Sequence, residues 1–239
     1  MNFVQNNDKV VSERTRTEGI KMLRKKKHAF TLAEVLLALV IVGIIAGLVL
    51  PSLLKDMQAK SRMGILKSTL VGIDDLIHKE IAQKRSEDII NLDIYNNPQL
   101  FLNKFNNAVS GTAFASSYQN YAGSEVTVNV PANSILLQNG VGIGIINQED
   151  ERCSDIIIDV TGEKSPNTVG IDYFVAKFFW DEDLTKGIHV GDVHGYITLG
   201  ADGNESVGSY KTLCLNGDPA ACFRLVELKG YDPDYLDAN

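Results

Sequence analysis

An unbroken apolar run near the N-terminus is the strongest pattern in the chain. Residues 30–50 read FTLAEVLLALVIVGIIAGLVL, and Glu34 is their only charged residue. As a helix this run would span about 32 Å, which is close to the hydrocarbon thickness of a bilayer. Pro51 follows the run and removes a backbone donor, so we expect a kink or a locally melted turn there. The pattern predicts a helix that can cross a membrane.

Beyond Pro51 the apolar positions return with helical spacing. Separations of three and four residues place them on one face of a helix that we expect to reach about Lys84. Charged residues fall on the opposite face, so this second half is predicted to pack on a globular head. The apolar positions are Met63, Leu66, Leu70, Ile73, Ile77 and Ile81.

The rest of the chain changes to short β-branched and aromatic runs separated by Gly, Pro, Asn and Asp, which is typical of strands. Before them we expect a short helix from Asn97-Pro98 to about Val109, with Asn97 as its cap. The predicted fold class is α+β, a long N-terminal helix packed on an antiparallel β-sheet head. Strands are expected at residues 125–130, 134–138, 141–146, 155–160, 172–179, 196–199 and 222–228.

Charge is distributed unevenly. Residues 1–29 carry eight Lys or Arg against three Asp or Glu, so their net charge is +5 and that of the remaining chain is −12. The basic run at residues 24–27 abuts the apolar segment, and the positive-inside rule then keeps it cytoplasmic and sends the C-terminal body outward. An acidic body does not favour nucleic acid as a partner.

The junction between the basic and apolar segments carries a motif. A small residue, Ala29, precedes Phe30-Thr31-Leu32-Ala33-Glu34 and about twenty apolar residues. This arrangement resembles the class III signal of type IV pilins and type II secretion pseudopilins. The resemblance implies that the membrane prepilin peptidase cleaves between Ala29 and Phe30 and methylates the new amino group of Phe30. The family usually has Gly before the cut, so Ala29 is a departure that could slow cleavage.

A carboxylate near the start of a membrane helix is costly, and Glu34 therefore calls for a partner. The resemblance implies that Glu34 pairs with the N-terminal ammonium of a neighbouring subunit when the helices bundle in a filament. Gly43 and Gly47 form a G-x-x-x-G spacing that permits close helix approach, although glycine is common in membrane helices generally. The alternative is a plain signal anchor with a tolerated interfacial glutamate.

The predicted organisation has four parts. A cleaved basic leader at residues 1–29 precedes a transmembrane and filament-core helix at 30–51, an amphipathic stalk helix at 52–85 and a β-rich head at 86–239. The leader is long for a pseudopilin. Translation could start at Met22, or residues 1–21 could be a dispensable extension.

A second segment, residues 159–174, also resembles pilin-like sequences. It reads D-x-x-G-x-x-x-P-N-x-x-G-x-D-x-F from Asp159 to Phe174, where the resemblance implies a strand, a tight loop and another strand.

The three cysteines lie C-terminal to the apolar segment, where an exported domain meets oxidising conditions. We favour a disulfide between Cys214 and Cys222, because the intervening Asn216-Gly217-Asp218-Pro219 can turn the chain back. Cys153 could replace either partner, and three reduced thiols also stay open.

Catalytic and metal-binding patterns are weak. Calcium is possible because the head loops are rich in oxygen ligands, yet none matches an EF-hand, and solvated turns are the favoured interpretation. His189 and His194 flank Asp192 in a spacing that no established zinc motif uses. The loop oxygens come from Asp159, Thr161, Glu163, Asn167, Asp181, Glu182, Asp183, Asp202, Asn204 and Glu205.

We expect no enzyme and no cofactor, since no nucleophile motif is present. The resemblance implies a filament subunit whose partners are the prepilin peptidase, other subunits, an inner-membrane assembly platform and membrane lipid. It places the chain in the bacterial inner membrane before assembly. The alternatives are a minor or tip pilin whose head binds a secreted substrate, an adhesin or DNA, and a simple membrane-anchored exported domain.

Overall fold

The computed structural model describes residues 30–86, 91–148, 153–181, 187–190 and 207–236. They fall in two compact units, one ending at Leu48 and one beginning at Val49. The first helix, α1 (Leu32–Lys84), contains Pro51 without a break in the helix, so the local melting expected there is not observed.

The apolar half of α1 presents its side chains to the surroundings. Leu36, Val42 and Leu48 are all more than half exposed, and so are most of their apolar neighbours. Among the described helices, α1 is long and apolar enough to cross a membrane by length and composition. The expected membrane-spanning segment is therefore present as a helix that the other described residues leave exposed.

The second half of α1 buries the face predicted from its periodicity. Leu66, Ile73 and Ile77 are at most 1% exposed, and Met63 and Leu70 are also buried. These side chains join the hydrophobic core of the second unit, where Ile81 packs as a partly buried residue. The amphipathic half of the helix is thus confirmed as the part that the head covers.

The head contains a six-stranded antiparallel sheet in the order β1-β4-β5-β6-β7-β8 and a separate hairpin, β2-β3. The ranges of the sheet strands are β1 (Ala108–Val109), β4 (Asn133–Leu137), β5 (Gly142–Gln148), β6 (Cys153–Asp159), β7 (Tyr173–Asp181) and β8 (Gly187–Val190). The hairpin strands are β2 (Tyr118–Gln119) and β3 (Glu125–Val126).

Both faces of the sheet centre are covered. Ile156, Ile157 and Ile158 follow one another in β6, and each is at most 1% exposed. Because successive strand residues point to opposite faces, side chains must pack on both sides of β6. One contributor is α5 (Pro219–Leu228), which contacts β7, and the buried face of α1 belongs to the same core.

The expected α+β class, a long helix with an antiparallel sheet, is confirmed, but one predicted strand is wrong. Residues 222–228 belong to α5, which follows α4 (Val207–Leu215). The Asp218 carboxylate accepts hydrogen bonds from the amides of Ala220 and Ala221, both at 3.0 Å, and Pro219 occupies the first turn. An N-cap and a proline in the first turn start a helix, and they outweigh the strand-like composition of the residues that follow.

The expected helix over residues 97–109 is too long. Two short helices stand here, α2 (Asp93–Asn96) and α3 (Pro98–Leu102), and Asn97 makes no side-chain cap for the second. Ala108 and Val109 leave the helix to pair with β4 as the edge strand β1. The partner strand β4 is distant in sequence, so the local composition around Ala108 could not indicate this pairing.

The other strand predictions divide into three groups. Those at 134–138, 141–146, 155–160 and 172–179 are confirmed as β4 to β7 with small shifts at their ends, whereas only Glu125–Val126 of the run 125–130 is a strand. His189, one of the two histidines considered as metal ligands, lies in strand β8. The strand expected at 196–199, together with Asp192 and His194, lies outside the described residues.

Candidate functional site

The start of α1 is built by two residues of the processing motif. The Thr31 hydroxyl accepts a hydrogen bond from the Glu34 amide at 3.2 Å, and the Thr31 amide donates to Glu34 Oε2 at 2.8 Å. The Thr31 hydroxyl also lies 2.8 Å from Oε2. This reciprocal arrangement is a capping box, which satisfies amides that a helix start otherwise leaves without partners. Glu34 therefore has a structural role within its own chain that the sequence analysis missed.

The structure describes the surroundings of several other processing and assembly candidates. Phe30 is 84% exposed at the beginning of the described chain, and Ala29 lies outside the described residues. A methyl group added at Gly43 or Gly47 would meet no atom within 4 Å. The helix surface around both glycines is thus open for close contact with another helix.

A charged network ties the end of α1 to the start of α2. The Lys84 and Lys104 ammonium groups each lie 2.9 Å from a carboxylate oxygen of Asp93, and Lys104 lies 3.7 Å from Glu80. The buried Glu80 carboxylate accepts a hydrogen bond from the Asp93 amide. Hydrogen bonds from Lys104 and Lys84 lower the pKa of Asp93, whereas burial raises the pKa of Glu80. The network holds the stalk helix to the head.

The segment 159–174 closes around two fully buried carboxylates. Asp159, at the end of β6, accepts a hydrogen bond from the Tyr118 hydroxyl at 2.6 Å and from the Thr161 amide at 2.9 Å. Burial raises the pKa of Asp159 to about 7, although the Tyr118 hydrogen bond acts in the opposite direction. The carboxylate joins the hairpin β2-β3 to the central sheet.

Asp172 organises the loop that connects β6 to β7. Its two carboxylate oxygens accept hydrogen bonds from the amides of Asn167 and Thr168, both at 2.7 Å. The Thr161 hydroxyl lies 3.0 Å from Asp172 Oδ2 and 3.3 Å from Asp159 Oδ1, between the two carboxylates. Burial raises the pKa of Asp172, whereas the hydrogen bonds from Thr168, Asn167 and Thr161 and the charge of Arg62 on α1 lower it.

These contacts give the second motif a structural meaning. Its first and last acidic residues accept hydrogen bonds from a loop that has a cis peptide bond before Pro166 and positive φ angles at Gly162, Asn167 and Gly170. Asp159 and Thr161, two of the possible calcium ligands, are engaged in this network. Within the described ranges, no three His, Cys, Asp or Glu side chains are grouped to hold a metal ion. Calcium binding by this chain stays a prediction.

A disulfide and a tyrosine pair pack behind the same loop. Cys214 and Cys222, the pair favoured from the sequence, are joined by a disulfide that connects α4 to α5. The Tyr121 hydroxyl lies 3.1 Å from the Gly170 carbonyl oxygen and 3.0 Å from the Tyr235 hydroxyl, which also donates to the Gly170 carbonyl. No local pattern pointed to Tyr118, Tyr121 or Tyr235, because their partners are distant in sequence.

The comparisons with known proteins single out the N-terminal segment. The family model described as the prokaryotic N-terminal methylation motif matches residues 24–50, from the basic run to the end of the apolar run. No curated protein and no solved structure matches the chain. The motif makes the chain a type IV pilin-like prepilin substrate, and the apolar helix is consistent with anchoring in the inner membrane. The motif thus supports a relationship with the type IV pilins and pseudopilins, and the long apolar helix with an antiparallel sheet fits a pilin-like fold.

Proposed function

We propose that this chain is a structural subunit of a type IV pilus or a type II secretion pseudopilus. Prepilin peptidase cleaves it between Ala29 and Phe30 and methylates the amino group of Phe30, and the mature subunit polymerises through α1. The observation that carries the proposal is the methylation motif at residues 24–50, which leads directly into a helix with exposed apolar side chains.

Glu34 connects processing to assembly. All three of its capping contacts with Thr31 involve Oε2 or the Glu34 amide, so Oε1 is placed to take a donor from another chain. The ammonium group of Phe30 in a neighbouring subunit is such a donor. Inside a bundle of apolar helices the attraction between the two charges is stronger than in water, and each charge offsets the desolvation cost of the other.

The membrane arrangement follows from charge and redox chemistry. The basic run at residues 24–27 keeps the leader cytoplasmic, so the head is exported and enters the filament from the outer face of the inner membrane. A disulfide between Cys214 and Cys222 suits the oxidising conditions found there. The assembly platform, membrane lipid and other subunits are the partners in this scheme.

The first test is the intact mass and N-terminal sequence of the protein extracted from membranes of cells with and without the prepilin peptidase. We expect a mature form beginning at methylated Phe30 only when the peptidase is present. An unprocessed N-terminus in both strains would contradict the proposal and support a simple membrane-anchored domain.

A second test separates assembly from processing. Glu34→Ala is expected to be processed but to be lost from sheared filaments, because the neighbouring ammonium group then has no partner. Asp56→Ala, which removes an exposed acid from the same helix outside the apolar run, is the matched control. Antibody labelling along whole filaments would indicate a major subunit, and labelling confined to tips would indicate a minor one.

A further inference from the structure

A pocket of about 280 Å³ lies between the first part of the stalk helix and the head, within the second unit. Residues on α1 form one side, and the motif loop and the C-terminal segment form the other. Its lining includes Lys55, Gln58, Arg62, Tyr121, Ile171 and Tyr235. We call it the stalk pocket.

The charged groups of the stalk pocket are all positive. Lys55 is exposed at its rim, and Arg62 is half-buried. No described carboxylate lies within 4.0 Å of a nitrogen of either side chain. The charge of Arg62 acts to lower the pKa of the buried Asp172. The two oxygens of that carboxylate accept hydrogen bonds from the amides of Asn167 and Thr168. The pocket therefore has two cations that form no salt bridge with a described carboxylate.

The walls of the pocket are held in place. The hydroxyl groups of Tyr121 and Tyr235 bond to each other and to the Gly170 carbonyl, so the tyrosine wall does not depend on a ligand for its shape. Met63 and Ile171 add apolar surface. A carboxylate that enters would meet two cations beside apolar walls, where an ion pair is less screened than on an open surface.

The chain itself carries the complementary charge. Residues 49–85 contain seven Lys or Arg against four Asp or Glu, whereas residues 86–239 contain eight against twenty-two. The stalk segment is thus positive and the head strongly negative. Opposite charges of this kind attract two copies and favour contact of one subunit's stalk with another subunit's head.

We infer that the stalk pocket of one subunit receives an acidic side chain from the head of a neighbouring copy in the filament. This inference rests on the proposed function, since it needs copies assembled side by side. Because the pocket and the acidic residue are different patches of the same chain, the contact is heterologous. Such a contact does not close on itself as a two-fold dimer does, and its repetition generates an open-ended helical filament.

The test places a photo-cross-linking amino acid at position 58, in place of Gln58, in the full-length chain in cells that assemble the filament. Illumination should give a dimer of this chain, and mass spectrometry should map the second site to an acidic stretch of residues 86–239. Adding Arg62→Glu should reduce the dimer about tenfold. Lys55→Glu changes an exposed side chain and should reduce the dimer in the same direction if folding is intact.

The matched control is Lys60→Glu, which makes the same charge change on an exposed residue of α1 that does not line the pocket. It should leave the dimer unchanged. Reversing the cross-linked acidic residue to Lys should restore the dimer of the Arg62→Glu variant. Cross-linking only to lipid, only to a different protein, or to the same extent with and without the charge reversals would overturn the inference.

The two proposals fail in distinguishable ways. If the unsubstituted chain is processed at Phe30 and assembled while both pocket variants cross-link normally, only the pocket inference is wrong. If the unsubstituted chain is neither processed nor assembled, the proposed function itself is wrong and the pocket has no filament partner.

Discussion

Tyr118 donates a hydrogen bond of 2.6 Å to Asp159, although 41 positions separate the two residues in the sequence. The Tyr118 hydroxyl in turn accepts a hydrogen bond from the Ala115 amide at 3.0 Å. Both side chains are buried, and the Tyr118 ring packs against Tyr173 with 4.5 Å between the ring centroids. The contact fixes the hairpin β2-β3 against the end of β6, and it makes the ionisation of Asp159 part of the stability of the head.

The raised pKa of Asp159 gives a pH dependence with a definite sign. In the folded chain Asp159 holds its proton up to about pH 7, whereas in the unfolded chain it releases it near the ordinary value of 3.8. The folded state binds more protons between these limits, so the contribution of Asp159 to the free energy of unfolding falls as the pH rises through that window. The raised pKa of Asp172 acts in the same direction.

This dependence can be measured in detergent by following thermal unfolding through the fluorescence of Trp180, the single tryptophan of the chain. The midpoint should fall between pH 5 and pH 8, and it should fall less in Asp159→Asn, which cannot ionise at this position. Equal changes in the two proteins would show that Asp159 does not retain its proton in the fold.

Asp172→Ala should destabilise the head strongly. The substitution leaves the amides of Asn167 and Thr168 without their acceptor in a buried loop, and we expect a loss of about 2–4 kcal/mol in the free energy of unfolding. Glu163→Ala changes an exposed acid in the same segment and should have little effect. Thermal midpoints of the two variants would make the comparison, and similar midpoints would mean that the Asp172 carboxylate does not organise the loop.

Gly170→Ala should be as damaging, for reasons of space and backbone angle. The residue has a φ of +83°, and an added Cβ would lie 2.6 Å from Cys222 Sγ and 2.9 Å from the Tyr235 hydroxyl oxygen. We expect a loss of about 2–4 kcal/mol from the strained backbone and the overpacking together.

The control for Gly170→Ala is Gly64→Ala on the exposed side of α1, where a Cβ meets nothing within 4 Å. That variant should be neutral or more stable by up to about 1 kcal/mol, because alanine favours a helix interior over glycine. A Gly170→Ala variant as stable as Gly64→Ala would contradict the packing described behind the motif loop.

The disulfide between Cys214 and Cys222 should stabilise the C-terminal helices. It closes a short loop, for which the entropy lost by the unfolded chain is worth about 2–3 kcal/mol. A reductant should therefore lower the thermal midpoint of the natural chain but not that of the double variant Cys214→Ser with Cys222→Ser. An equal response of both proteins would show that the reductant acts on a different disulfide, such as one that joins Cys153 to another molecule.

Local patterns predicted what local forces control. The apolar face of α1 at Met63, Leu66 and Ile73 was visible as a 3.6-residue period, because helix geometry alone places residues three or four positions apart on the same face. The main strands were recognised from their β-branched runs. The strand predicted at residues 222–228 failed because the cap at Asp218 and Pro219 decided the element.

The sequence by itself determined the processing motif, the apolar helix, the amphipathic stalk, the fold class and the favoured cysteine pair, because each depends on residues close together in the chain. Only the tertiary structure decided that Asp159 and Asp172 share Thr161, that Tyr118 reaches Asp159, and that Lys55 and Arg62 line one pocket with Tyr121 and Tyr235. Sheet pairing and helix packing bring those groups together across tens of residues. The pattern of residue types along the chain does not contain the distances between such residues.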